Sequence, residues 1–249
     1  MDLVKKLKNK DFNLNDWYMN SISLPSHKSD LPLGPYFNFI KKKIYKIKGD
    51  LIEFGVFRGD SIISTALLLK RLGIKKKIYG FDTFEGFLKK KHKNDNPKIF
   101  QNLFKNKQIN NFHFEWIKLR EVALKNGFIQ NHSWKNTSYN MVKNRIKKFK
   151  LEKDIILVKG DIAKTLNTFK SKSIAGVFMD CNLYEPHKKA LSFSWKYLSK
   201  NGQIFLDDYF SLKYPGARIA INEFCKEQKI KVNKVNNYPG DFPRYFLKK

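Results

Sequence analysis

The sequence holds only two cysteines, Cys181 and Cys225, which can close at most one disulfide and form no CxxC pair or ligand-spaced cluster. A disulfide-stapled secreted scaffold is thereby excluded, and a reduced, cytoplasmic setting is the expectation. No apolar run has the length of about 20 residues needed to cross a bilayer. The opening MDLVKKLKNKDFNLNDW lacks the unbroken apolar stretch and small-residue cleavage site of a secretory signal. Prolines are few, 8 in all, and none are grouped into a linker. There is no internal repeat, so the 249 residues read as one α/β domain. Acidic residues are scarce as well: 22 against 50 lysines and arginines, a net charge of +28. Such a surface attracts nucleic acid, anionic membrane or an anionic substrate. The charge comes in runs, KKK at 41–43 and 75–77 and KKKHK at 89–93, with no aromatic-interleaved binding module. A lysine-rich compositional bias produces the same pattern, so charge names no partner. Hydrophobic residues, at 42%, suffice for a globular core.

Strand and helix patterns alternate along the chain. KGDLIEFGV predicts a buried strand, and GDSIISTALLLKRLGI the helix after it. IYGFDTF, DIILVKG, SIAGVFMD and QIFLDD predict four more strands, and IKVNKV and RYFLKK the last two, with Pro239 and Gly240 between them. Helices are predicted in TSYNMVKNRIKKFKL, DIAKTLNTF, HKKALSFSWKYLS (opened by Pro186) and RIAINEFCKEQ. This order implies a three-layer, Rossmann-like seven-stranded sheet, mostly parallel with an antiparallel last strand. Residues 1–48 read as an accessory region, with a proline-punctuated loop that can cover a pocket. Residues 87–135 are long for a connection and read as an insert covering the active site. Within it FHFEWIKLREVALKNGF reads as helical, and His113, His132, Trp116 and Trp134 are lid candidates.

The sharpest local signal is EFGVFRGDS at 53–61, between a strand and a helix. Gly55 and Gly59 permit a close turn, Ser61 sits near the helix start, and Glu53 can accept a hydrogen bond from a bound amine. The spacing is not the three-glycine dinucleotide fingerprint. Asp82 ends the next strand, where an acid can hold two ribose hydroxyls. Asp161 ends the third strand and serves either the same ligand or the cap of the helix after it. Asp180 closes SIAGVFMD, and Asp207 and Asp208 close QIFLDD. Adjacent parallel strands bring these acids together, which is costly unless a cation compensates them. Three oxygen ligands suit magnesium better than zinc. His187 reads either as a base that titrates near neutrality or as a solvated histidine on a helix face.

Together LIEFGVFRGDS, YGFDTFEGF, LVKGDIAKTL, FMDCNLYEP and IFLDDYFSLKYPGARIAINEF resemble the macrocin O-methyltransferase family, from about Gly49 through Phe224. The resemblance implies a methyltransferase that takes S-adenosyl-L-methionine and Mg2+ and methylates a hydroxyl of a sugar or glycosylated small molecule. It implies Asp180, Asp207 and Asp208 at the metal, and Glu53, Gly55 and Ser61 around the methionine end and glycine loop of the cofactor, beside Gly59 of the same turn. It also implies Asp82 at the ribose, Asp161 near the adenine, Tyr209 and Arg218 beside the metal or substrate, a mobile N-terminal cover and a homo-oligomer. The family reads D-x-D-L-Y-E-P where this chain reads DCNLYEP. Asn182 therefore replaces the acid that serves as general base, and an amide cannot accept that proton. Either metal activation suffices, or His187 substitutes, or the activity is weak or different. Two other readings stand beside it. One is a cofactor-binding protein without efficient catalysis. The other is a methyltransferase for an anionic or nucleic-acid acceptor, which needs stacking aromatics around an extruded base.

Overall fold

The computed structural model describes residues 33–88, 91–130, 134–170, 173–235 and 242–249. Five parallel strands form its centre: β1 (Asp50–Phe54), β2 (Ile78–Asp82), β3 (Ile155–Lys159), β4 (Ile174–Met179) and β5 (Leu198–Leu206). All six residues of β4 are buried, as are four of the five in β1. Both read as near-continuous apolar runs because strands covered on both faces have no solvent side. Two short strands complete the sheet, β6 (Asn233–Val235) and β7 (Arg244–Lys248), in the order β3-β2-β1-β4-β5-β7-β6. Strand β7 runs antiparallel to both its neighbours, as the sequence order of the last pair suggests. The Pro239–Gly240 turn lies outside the described residues.

The helices divide between the faces. On one side lie α1 (Gly34–Lys42), α2 (Asp60–Arg71) and, after the insert, α5 (Tyr139–Lys148). On the other lie α6 (Ile162–Thr168), α7 (Tyr184–Tyr197) and α8 (Gly216–Glu227). Within β1, Leu51 joins the first core and Ile52 the second, the alternation expected of a pleated strand. The insert contributes α3 (Ile99–Lys105) and α4 (Asn111–Lys125); Phe100, Leu103 and Ile117 of these helices, with Ile109 between them, form a third, smaller core against Leu212 and Ile219.

The segment expected to be an accessory cover is, in its described part, core. Tyr36, Phe37, Phe39 and Ile40 of α1 are all buried, and Tyr36 packs its ring 5.2 Å from both Phe178 and Phe205. Pro35 sits in the first turn of α1, where its missing N–H costs nothing. The remainder of the proposed cover lies outside the described residues.

Strand order fixes where a ligand can bind. Chain direction carries β1 to β3 one way across the sheet, then returns to place β4 on the other side of β1. The crevice at such a reversal opens at the carboxyl ends of the strands.

Candidate active site

The glycine turn after β1 is shaped by that reversal. Gly55 has φ of +87°, and a Cβ placed on it would lie 1.8 Å from the backbone oxygen of Asp180 at the end of β4. Gly59, at φ +83°, is the N-cap of α2, with Val142 packed against it. Asp82 holds the turn shut from the neighbouring strand. Its Oδ2 accepts from the amides of Val56 and Phe57 at 2.8 and 2.9 Å, and its Oδ1 from the Phe84 amide at 2.6 Å. Phe57 and Phe84 both adopt positive φ to make these bonds possible. Oδ1 keeps lone-pair capacity beyond the Phe84 bond, so Asp82 fixes the loop and still presents an acceptor to the cavity it lines.

Glu53 lies under the turn, 1% exposed. Its Oε1 accepts from the Ser61 hydroxyl at 2.6 Å, and its Oε2 is buried with no partner among the described residues. Burial pushes the Glu53 carboxyl up to about 8, against the opposing effect of the Ser61 bond. An orphaned buried acceptor of this kind calls for a donor. Asp161 performs the local role open to it, accepting from the Ala163 amide at 3.0 Å to cap α6, and it also lines the cavity.

Gly55, Asp82, Asp161, Asp180 and Asn182 thus meet around one cavity, walled by Phe57, Thr83, Phe87 and Trp134. Of the described lid candidates, Trp134 lines it, edge-on to Phe57 at 5.1 Å. His132 is outside the described residues, and Trp116 packs on Phe242. His113 is a core residue: it is 1% exposed, donates from Nε2 to the Ser211 carbonyl at 2.8 Å and stacks on Phe210 at 3.9 Å. Burial lowers its pKa from 6.5 to about 4. The unfolded chain therefore takes up this proton near pH 6.5 and the folded chain only near pH 4, so the contribution of His113 to stability falls on acidification through that window. Replacing His113 by Gln, which keeps a donor for Ser211, is expected to remove this one contribution, so that the unfolding midpoint of the variant gains on that of the wild type as the pH falls from 6.5 to 4.

The acids at the ends of β4 and β5 act on one another electrostatically. Desolvation and the nearby charges of Asp208, Asp207, Glu53 and Asp82 raise Asp180 well above the usual carboxylate range. Burial and Asp207 likewise push Asp208 up to about 8, opposed by a 2.7 Å bond from the Asn182 amide to its Oδ2. Five of the chain's 22 acids, Glu53, Asp82, Asp180, Asp207 and Asp208, share one field in a protein of charge +28. Among the described residues, however, no three His, Cys, Asp or Glu side chains converge in the arrangement of a formed metal site.

His187 corrects the reading of a solvated helix-face histidine. It is completely buried, with Nδ1 3.0 Å from the Leu183 carbonyl and 3.2 Å from Cys181 Sγ. Nε2 faces Asp208 Oδ2 at 3.6 Å, too long for a hydrogen bond. Burial drops its pKa to about 4, and it does not line the cavity. Arg218 is also structural: its guanidinium lies 4.2 Å over the Tyr209 ring and bonds the carbonyls of Tyr209 and Gln108, tying the insert to the end of β5. Sequence reasoning missed Asp95, which is buried and accepts from the Tyr184 and His92 amides, anchoring the insert at the start of α7. No local motif signals it.

Glycine turn, strand-end acid and switch-point cavity place the chain among the ligand-binding enzymes of the doubly wound class. The model of one family, described as a methyltransferase domain, matches residues 52–209, and the chain belongs to that family: it is an S-adenosylmethionine-dependent methyltransferase. Solved structures share the fold. The O-methyltransferase NovP matches at 20% identity and TM-score 0.62, over 85% of this chain and 74% of that one. CalS11, a calicheamicin methyltransferase, matches at 21% and 0.59, over 99% and 89%. Its apo form, described as a TDP-rhamnose 3'-O-methyltransferase, matches at 19% and 0.55, over 99% and 91%. No curated protein matches the sequence. Among the described residues, no helix is long and apolar enough to cross a membrane.

Proposed function

We propose that the chain is a magnesium-dependent O-methyltransferase acting on a hydroxyl of a sugar or glycosylated small molecule. The observation that carries this reading is Asp180, which lines the cofactor cavity while sharing its field with Asp207 and Asp208. The resemblance to macrocin O-methyltransferases and the activities named for NovP and CalS11 point the same way.

Glu53 would hold the ammonium of S-adenosylmethionine through its orphaned Oε2, Asp82 the ribose, and Asp161 the adenine end. Gly55 and Gly59 leave the turn free of side chains where the cofactor must approach the backbone. The cofactor supplies an electrophilic methyl on a cationic sulfur. Asp180, Asp207 and Asp208 would hold Mg2+, which when bound lowers the pKa of an acceptor hydroxyl. Asn182, in the left-handed conformation at φ +61°, gives its backbone N–H to Asp208 and faces the cavity. Its side-chain amide cannot take the hydroxyl proton but can orient the oxygen. His187, buried 3.6 Å from Asp208 and outside the cavity lining, does not act as the base in this reading.

The test is methyl transfer from labelled S-adenosylmethionine to a panel of sugars, glycosides and sugar phosphates, with magnesium or with excess chelator. Label in an ether linkage that depends on magnesium is the expected result. Transfer that persists in chelator, or appears only on nitrogen, overturns the reading.

A further inference from the structure

The cavity at the strand ends extends past the glycine turn to a second polar wall that the methyl donor leaves unused. Gly55, Asp82 and Asp161 follow or end β1, β2 and β3 on one side of the reversal. Asn182 and Glu185 follow β4 on the other side, and His92 of the insert joins them there. His92 is held by several contacts at once. Its Nδ1 accepts from the Asn94 amide at 3.2 Å, and its ring stacks on Tyr184 at 4.3 Å, 16° from parallel. Its own amide donates to Asp95 Oδ2 at 3.0 Å, while Asp95 Oδ1 accepts from the Tyr184 amide at 2.8 Å. Asp95 is 3% exposed and burial raises its pKa, so a desolvated carboxyl fastens this loop to the start of α7. Gly216, the first residue of α8, leaves room for it, since a Cβ there would lie 1.9 Å from Asp95 Oδ1.

With Nδ1 engaged as an acceptor, the ring proton of His92 sits on Nε2. That N–H has no hydrogen bond among the described residues: the facing atom, Glu185 Oε1, stands 4.0 Å away, too far to accept it. The two side chains are 28% and 50% exposed, so both are open to a ligand in the cavity they line. We propose that His92 Nε2 and Glu185 Oε1 together hold one hydroxyl of the acceptor, a different one from the hydroxyl that is methylated. The inference rests on the O-methyltransferase reading above and narrows its substrate class to acceptors with at least two hydroxyls, as on a sugar ring. A donor beside a carboxylate matches a group that accepts and donates through one atom, as a hydroxyl does. The spacing suits it as well. An oxygen about 2.8 Å from each atom bridges the gap with an angle of about 90° between its two hydrogen bonds. Because Nε2 already carries a proton and donates, it draws on the lone pair that attack on a methyl group needs. His92 is therefore a positioning residue for the acceptor and takes no proton from it.

Titration of the full chain, loaded with S-adenosylhomocysteine and followed by saturation-transfer NMR, tests the subsite without methyl transfer. The probes are the methyl α-glycosides of glucose, galactose, mannose and rhamnose, with their monodeoxy analogues. His92→Asn keeps an acceptor for the Asn94 amide and removes the N–H that faces Glu185, whereas His92→Gln places an amide donor near the position of Nε2. The dissociation constant of the glycoside that binds most tightly is expected to rise roughly tenfold in His92→Asn and in Glu185→Ala, and to recover in His92→Gln. One monodeoxy analogue is expected to bind equally to wild type and His92→Asn, a coupling that a merely structural role would not produce. Retained S-adenosylhomocysteine binding reports that each variant is folded. Glycoside affinity unchanged in His92→Asn, a loss equal for every analogue, or no binding of any glycoside to the wild type overturns the subsite. If glycosides are methylated with no dependence on His92, the subsite fails and the O-methyltransferase reading stands. If binding depends on His92 and Glu185 and no hydroxyl is methylated, that reading fails and the hydroxyl site stands alone.

Discussion

Replacing Asp180 by Asn is expected to lower methyl transfer by roughly a thousandfold while raising the thermal stability of the metal-free protein. The two effects have one cause. Asp180 lies buried in the combined field of Asp207, Asp208, Glu53 and Asp82, all of which raise its pKa. In the absence of a cation this carboxyl must either repel its neighbours or take up a proton on folding, and the isosteric amide avoids both costs. With magnesium in place the same charge would be a ligand, and its loss would remove the group that links the metal to the cofactor cavity. Most buried substitutions destabilise, so a variant that is inactive yet melts higher without metal cannot be dismissed as misfolded. Thermal unfolding with and without magnesium, beside initial rates of transfer, reads both effects. A variant that loses activity and stability together would identify Asp180 as a packing residue.

Gly55→Ala is expected to abolish cofactor binding and to destabilise the fold by about 3 kcal/mol, combining backbone strain with overpacking. The added Cβ would fall 1.8 Å from the Asp180 backbone oxygen, on a residue at φ +87°. No side chain can rotate away to accommodate it, because the obstacle is main chain. Either β1 and β4 separate at their carboxyl ends or the turn lifts off the two amide bonds that Asp82 accepts. Gly73 provides the control. It too has positive φ, +68°, but a Cβ there meets nothing within 4 Å, so Gly73→Ala carries the conformational cost alone, roughly 1 kcal/mol. Urea unfolding of the two variants separates the close approach from the backbone angle.

What the sequence revealed follows from how each feature is encoded. The central strands were legible because burial on both faces writes an unbroken apolar run, and the acids at their ends because β4 and β5 are neighbours with a readable register. The role of His187 was hidden by the lysines at 188 and 189, although Tyr184, His187, Ala190, Leu191 and Ser194 recur at helical spacing and mark the buried face of α7. The prolines before Tyr36 suggested a loop, whereas Pro35 only opens a helix whose aromatic residues enter the core. Asp82 was recognisable as an acid at a strand end. Its three amide bonds were not, since they depend on two phenylalanines adopting an unusual φ. The insert resisted reading because its small core closes against Leu212 and Ile219, about a hundred residues later in the chain.

Calorimetric titration of metal-stripped protein with magnesium, at saturating S-adenosylmethionine and repeated on Asp207→Ala, tests the central claim most directly. The expected result is one saturable magnesium site in the wild type, absent in the variant, with cofactor affinity retained in both. Undiminished cofactor binding with no magnesium site in the wild type, or the same site in the variant, would contradict it.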